Sequence, residues 1–214
     1  MKSQYVRVIA TGCIVIWILF ATVSGILRYS GSSYHWLWGT PILIINILNL
    51  YFLYQSIRQE PKGIDLRWST FLISTGASLA LGCTSFFISY PLLEIPYVAN
   101  IRQVGVAVSL MPYPFVIWAL LCLNNCLTVL PEAHALVATG IYRYSRHPLY
   151  MCYIVWAIAN MLMFPSWPII IISVTEIVLQ ILRFKREEAL LLEILPSYRN
   201  YREQTGLIGK LVNF

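Results

Sequence analysis

The chain has 214 residues, of which 58% are hydrophobic and only 11% charged, with a mean hydropathy of +0.69. A soluble domain carries charge on about a quarter of its residues, so a water-soluble globule is excluded and most of the surface must meet lipid. The net charge of +6 would suit a nucleic-acid binder, but its distribution along the chain gives it another cause.

Lipid admits only helices or closed barrels, because every backbone amide must be satisfied within the protein. The apolar runs here are continuous rather than alternating, and long enough for helices. The expected fold is all-α: a multi-pass transmembrane helical protein with about six membrane segments. Spans are predicted at Tyr5–Leu27, Trp36–Ile57, Trp68–Tyr90, Val98–Leu127, Leu149–Phe164 and Pro168–Leu182. Lys2 and Arg7 ahead of the first run give it the outline of a signal peptide, but the spans that follow favour an anchoring helix. The fourth run is overlong and contains Met111-Pro112-Tyr113-Pro114, which predicts one kinked helix. Pro165-Ser166-Trp167-Pro168 makes a tight turn, so the fifth and sixth runs form a hairpin. Whether that hairpin spans or re-enters, both its ends emerge on the same side.

Orientation follows from the basic residues. With the N-terminus in the cytosol, the inside segments hold Lys2, Arg7, Arg58, Lys62, Arg67, Arg143, Arg146, Arg183, Lys185, Arg186, Arg199, Arg202 and Lys210. Only Arg28 and Arg102, of 15 basic residues, are left outside. That asymmetry is the positive-inside pattern, and it explains the net charge without nucleic acid. Both termini are therefore expected in the cytosol. The five cysteines are odd in number and all lie in apolar runs, so neither a disulfide framework nor a metal site is expected.

The sixth helix should stop before Pro196. Its length of about 40 Å exceeds a hydrocarbon core of about 30 Å, so its last turns must stand among headgroups and in the cytosol. Glu176, Gln180, Arg183 and Glu187 fall on one face of it. A structural contact between helices would explain such a stripe. A cavity open to the cytosol below and to lipid above explains it better, with Arg183 gripping an anionic headgroup. A transport pathway is the rival, but no internal repeat supports it. The second concentration of chemistry is Pro131–Tyr150, which is aromatic, basic and punctuated by Gly and Pro. Its plain reading is an interfacial belt. No glycine-rich phosphate loop occurs anywhere.

The stretch His134-Ala-Leu-Val-Ala-Thr-Gly-Ile-Tyr-Arg-Tyr-Ser-Arg-His-Pro-Leu-Tyr150 resembles the signature of the isoprenylcysteine carboxyl methyltransferase family. So do Arg183-Phe-Lys-Arg-Glu187-Glu188, Leu191 and Tyr198-Arg-Asn-Tyr201. The resemblance covers about Ile101–Leu211, including the helical hairpin between the two blocks. It implies an integral membrane enzyme that uses S-adenosylmethionine and releases S-adenosylhomocysteine. On that resemblance His134, Ala135, Leu136 and Val137 would line the adenosine part of a cytosolic cofactor pocket, largely through backbone. Tyr142, His147, Pro148, Leu149 and Tyr150 would hold the rest, Glu187 would contact the cofactor from the helix, and Arg183 would orient the substrate carboxylate. Arg183 and Glu187 would then be the catalytic pair. Leu127 stands where the family can carry a polar cofactor contact, with Asn124 and Asn125 as substitutes, and Cys152 replaces a frequent glycine.

The chain accordingly divides into N-terminal helices without an assigned role (residues 1–97) and a methyltransferase core (residues 98–214). The expected activity is methyl transfer to the carboxylate of a prenylcysteine-type lipophilic acceptor, a prenylated protein included. A phospholipid amine or a small thiol is the alternative acceptor. The setting would be the endoplasmic reticulum membrane in a eukaryote or the cytoplasmic membrane in a prokaryote.

Overall fold

The computed structural model describes residues 2–29, 35–87 and 90–207. In chain order these form α1 (Lys2–Tyr29), α2 (His35–Ile57), β1 (Gly63–Ile64), α3 (Trp68–Cys83), α4 (Val98–Leu110), α5 (Pro112–Leu123), β2 (Glu132–Ala133), α6 (Pro148–Met163), α7 (Trp167–Ile194) and α8 (Pro196–Gln204). Short 3-10 turns follow at Thr84–Phe87, Asn124–Cys126 and Gly140–Arg143. The chain is thus mostly helical. Among the described residues two helical stretches, Val98–Cys126 and Trp167–Ile194, are long and apolar enough to cross a membrane. The third predicted span stops as an α-helix at Cys83, short of Tyr90, and Lys210 lies outside the described residues.

Proline sets most of the helix boundaries. Pro112 has no N–H to offer the preceding turn, and the helix breaks between α4 and α5 at Met111. Pro148, Pro168 and Pro196 each sit in the first turn of a helix, where a missing N–H costs nothing. Leu195, forced out of the helical region by Pro196, is extended and ends α7. At 28 residues α7 is about 42 Å long, and α6, with 16, is about 24 Å.

Between helices in lipid the hydrophobic effect contributes little, so close approach of small residues must do the packing. Gly105 of α4 lies so near α6 that a Cβ there would sit 2.7 Å from the backbone nitrogen of Met163. Ala157 and Ala159 of α6 and Ala77 of α3 are fully buried. Trp156 donates its indole N–H to the carbonyl of Ser109 at 2.9 Å, fixing α6 against α4. α3 runs along α7, and α5 and α6 share one core with α1 and α2 through Ile14, Phe52, Leu53, Leu120 and Cys152.

One end of this bundle collects the loops that matter. β1 and β2 pair antiparallel, Gly63 with Ala133 and Ile64 with Glu132. Arg7 of α1, buried, donates to Glu132 at 2.9 Å and to the carbonyls of Ser56 and Gln59. The N-terminal region therefore supports the 128–137 segment from behind.

Candidate active site

α6 and α7 are antiparallel neighbours joined by the turn at Pro165–Ser166, so the start of α6 faces the last turns of α7. That juxtaposition opens a small cleft of about 70 Å³. Tyr142, His147, Leu149 and Tyr150 line it from the loop and α6, and Arg183 and Glu187 line it from α7. Leu123, Cys126, Leu127, Thr128 and Tyr153 complete the wall.

Arg183 and Glu187, four residues apart, could have formed an ion pair on the helix surface. They do not pair. Glu187 accepts a hydrogen bond from the Tyr150 hydroxyl. Arg183 donates through Nη2 to the carbonyls of Thr128 (3.1 Å) and Val129 (2.9 Å), and Nη1 reaches Ser78 Oγ at 3.4 Å. Its guanidinium lies 5.4 Å from the centre of the Tyr150 ring. Nε has no partner although it is buried. Of five donors, Nε–H and one Nη1–H are thus without a protein partner. The fixed carbonyl contacts hold the group still, which a flexible arginine on a free helix end would not be.

His147 packs edge-on against Tyr150, with ring centres 5.3 Å apart, and at a 31° tilt against Phe184 at 5.2 Å. Tyr142 is buried, and that burial, reinforced by the charge of Glu187, pushes its hydroxyl well above the usual tyrosine range. It remains a neutral donor at any physiological pH. The aromatic walls and the Glu187 carboxylate together suit a cationic guest.

The structure gathers Tyr142, His147, Leu149, Tyr150, Arg183 and Glu187 around one cleft, and Pro148 is buried at the start of α6 beside them. The 134–137 segment does not line that cleft. His134 turns its Nε2 to Glu132 at 3.0 Å, inside the Arg7 network. Leu136 packs on Leu195, Tyr198 and Tyr201, and Ala135 is exposed, its carbonyl 3.9 Å from Cys126 Sγ. Glu176 and Gln180, from the same stripe as Arg183, are buried deeper along α7 and line no part of the cleft. Of the positions weighed as polar contacts, Leu127 is in the wall while Asn124 points out at φ 47°.

Four residues of the wall, Leu123, Cys126, Thr128 and Tyr153, were missed in the sequence, and so was Ser78, which meets Arg183 from outside it. Tyr153 stands one turn beyond Tyr150 on the same face of α6, a spacing that could have found it. Ser78 carries no such signal, because it meets Arg183 only through the packing of α3 on α7.

A helical membrane protein with an aromatic cleft lined by one arginine and one carboxylate is the class that fold and site define. Residues 105–193 match the model of the isoprenylcysteine carboxyl methyltransferase family, which bears out the resemblance read from the sequence over that segment. The match supports a methyltransferase of the isoprenylcysteine type in general. A search of curated proteins returned no match.

Proposed function

We propose that this protein transfers a methyl group from S-adenosylmethionine to the carboxylate of a prenylcysteine-type lipophilic acceptor, at the boundary of membrane and cytosol. The observation that carries this reading is the meeting of Arg183, with two N–H donors that have no protein partner, and the Tyr150–Glu187 pair across one cleft. The donor set fits both guests. An arginine held by backbone carbonyls suits a carboxylate, and tyrosine rings beside a carboxylate suit the sulfonium and amino group of the cofactor. Tyr142, His147, Leu149, Tyr150 and Glu187 would hold the cofactor, with Pro148 shaping the turn. The bound cofactor supplies the electrophilic methyl group.

The chain's own residues then have a limited task. A carboxylate is already ionised at neutral pH, so no general base is needed. Arg183 would orient the acceptor oxygen toward the methyl group that the cofactor supplies, and transfer to a carboxylate would need no proton to change hands. Rigid alignment of this kind is worth several kcal/mol of barrier. Glu187 steadies Tyr150, whose ring shields the reacting atoms from water. An amine acceptor would arrive protonated and require a free base. The two candidates in the wall, Glu187 and His147, are engaged with Tyr150 and Glu188, which favours the carboxylate.

The lipid tail would lie along the apolar part of α6 and α7, with the cleft facing the cytosol and both termini on that side. Residues 98–214 would carry the reaction and residues 1–97 would brace it. Two substitutions test the assignment of roles. Arg183→Lys keeps the charge and loses the planar fork, so saturation with acceptor should weaken about tenfold or more while saturation with cofactor hardly moves. Glu187→Gln should do the reverse. Equal small effects on both curves would sink the assignment.

A further inference from the structure

Behind His147, outside the cleft wall, a second polar cluster gathers on Glu188. Its Oε1 accepts from Arg146 Nε at 2.8 Å and lies 3.1 Å from His147 Nε2. Its Oε2 is 3.8 Å from Arg202 Nε. Arg146 also donates through Nη1 to the carbonyls of Arg202 and Thr205, and its backbone N–H donates to Gly206 at 3.2 Å. Ser145 Oγ donates to the carbonyl of Leu207 at 2.5 Å, and Tyr201 donates its hydroxyl proton to the carbonyl of Tyr142 at 2.5 Å. The loop that presents Tyr142 and His147 to the cleft is therefore tied at both ends to a strap over residues 198–207. That strap lies beyond the segment matched to the family.

We propose that Glu188 is a positioning residue, which aims the His147 ring into the cleft and, through Arg146, fastens the loop to the C-terminal strap. The inference rests on reading the cleft as the cofactor site. Three features carry it. Glu188 does not line the cleft, so it acts through His147 rather than on a guest. It is the only carboxylate among the described residues paired with both Arg146 and His147, whose side chains are 2% and 3% exposed. A charge buried to the degree of Arg146 depends on its partner, because one left alone costs several kcal/mol. And one of the two ring nitrogens of His147 is committed to Glu188, which sets both the ring's rotation and which nitrogen faces the cleft.

The full chain in detergent micelles gives the test, with S-adenosylhomocysteine as probe. In Glu188→Gln its dissociation constant should rise about tenfold to a hundredfold, the loss of a charge-assisted bond. Acceptor saturation at excess cofactor should stay near the parent's. Without ligand, amide exchange over residues 139–147 should quicken while that of α5 and α7 does not. Tyr201→Phe, which deletes a single hydroxyl, should move both readouts in the same direction by less. Parent-like affinity and exchange in a folded Glu188→Gln would overturn the proposal, as would equal losses for cofactor and acceptor with faster exchange everywhere. If Glu188→Gln fails to fold, unchanged affinity and exchange in Tyr201→Phe overturn it. Should the parent itself not bind S-adenosylhomocysteine, the methyltransferase reading fails, and the loop exchange alone decides the role of Glu188.

Discussion

At the scale of single residues, the cleft depends on side chains whose surroundings leave them little choice. Tyr150 shows the point: its hydroxyl goes to Glu187, its face to Arg183 and its edge to His147. Gly140 shows it for the backbone. Its φ is +58°, and a Cβ there would meet Cys122 Sγ at 2.3 Å and Trp118 Nε1 at 3.3 Å. Both the left-handed conformation and the contact oppose any side chain. Gly140→Ala should therefore cost about 1–2 kcal/mol in conformation alone, with the cost of displacing Cys122 added. Thermal unfolding in detergent would register it as a clear drop in midpoint; an unchanged midpoint would mean that the turn relaxes freely. The value of Gly140 was not legible in the sequence, where it is one glycine among eleven. Arg183 and Glu187 were legible, because helical spacing puts them on one face. Their separate partners were not, since those come from α6 and from the 128–129 backbone.

At the scale of elements, the proline pattern and the apolar runs carried most of the helix boundaries, and the kink at Met111 and the stop at Leu195 follow from local chemistry. The two-residue strands did not announce themselves. Their pairing joins Gly63 to Ala133, and Arg7 meets Glu132 across 125 positions of chain, a separation that periodicity cannot report. The loop between β1 and α3 has its own pH signature. Arg67 donates to Asp65 through its backbone and guanidinium, and Thr70 adds a hydroxyl at 2.8 Å. Led by the Arg67 side-chain bond, these contacts hold the Asp65 carboxyl down from 3.8 to about 2. Because the folded value is the lower, the unfolded chain takes up this proton first as pH falls. The stabilisation is complete above pH 3.8 and is lost as pH drops through about 2. Arg67 is largely exposed, so the effect should be at most about 1 kcal/mol. Asp65→Asn should flatten that part of the acid limb of the unfolding midpoint, measured from pH 5 downward; a limb as steep as the parent's would assign it to other groups.

At the scale of the whole molecule, composition alone pointed to a helical membrane protein, because so few charges cannot cover a globule of this size in water. In the structure the β1–β2 pairing, the Arg7 network and the C-terminal strap all pack around the 128–147 segment that carries the cleft loop. What the sequence could not convey is how the N-terminal helices take part. Ser78 of α3 touches Arg183, and α1 holds the segment containing His134 through Glu132, so residues 1–97 reach the site by packing rather than by motif. The central claim is that the cleft between α6 and α7 holds S-adenosylmethionine. Calorimetric titration of the full chain in detergent with S-adenosylhomocysteine tests it most directly. Saturable one-to-one binding, weakened about tenfold or more in Glu187→Gln, is the result predicted. An absence of saturable heat, or equal affinity in parent and Glu187→Gln, would contradict it.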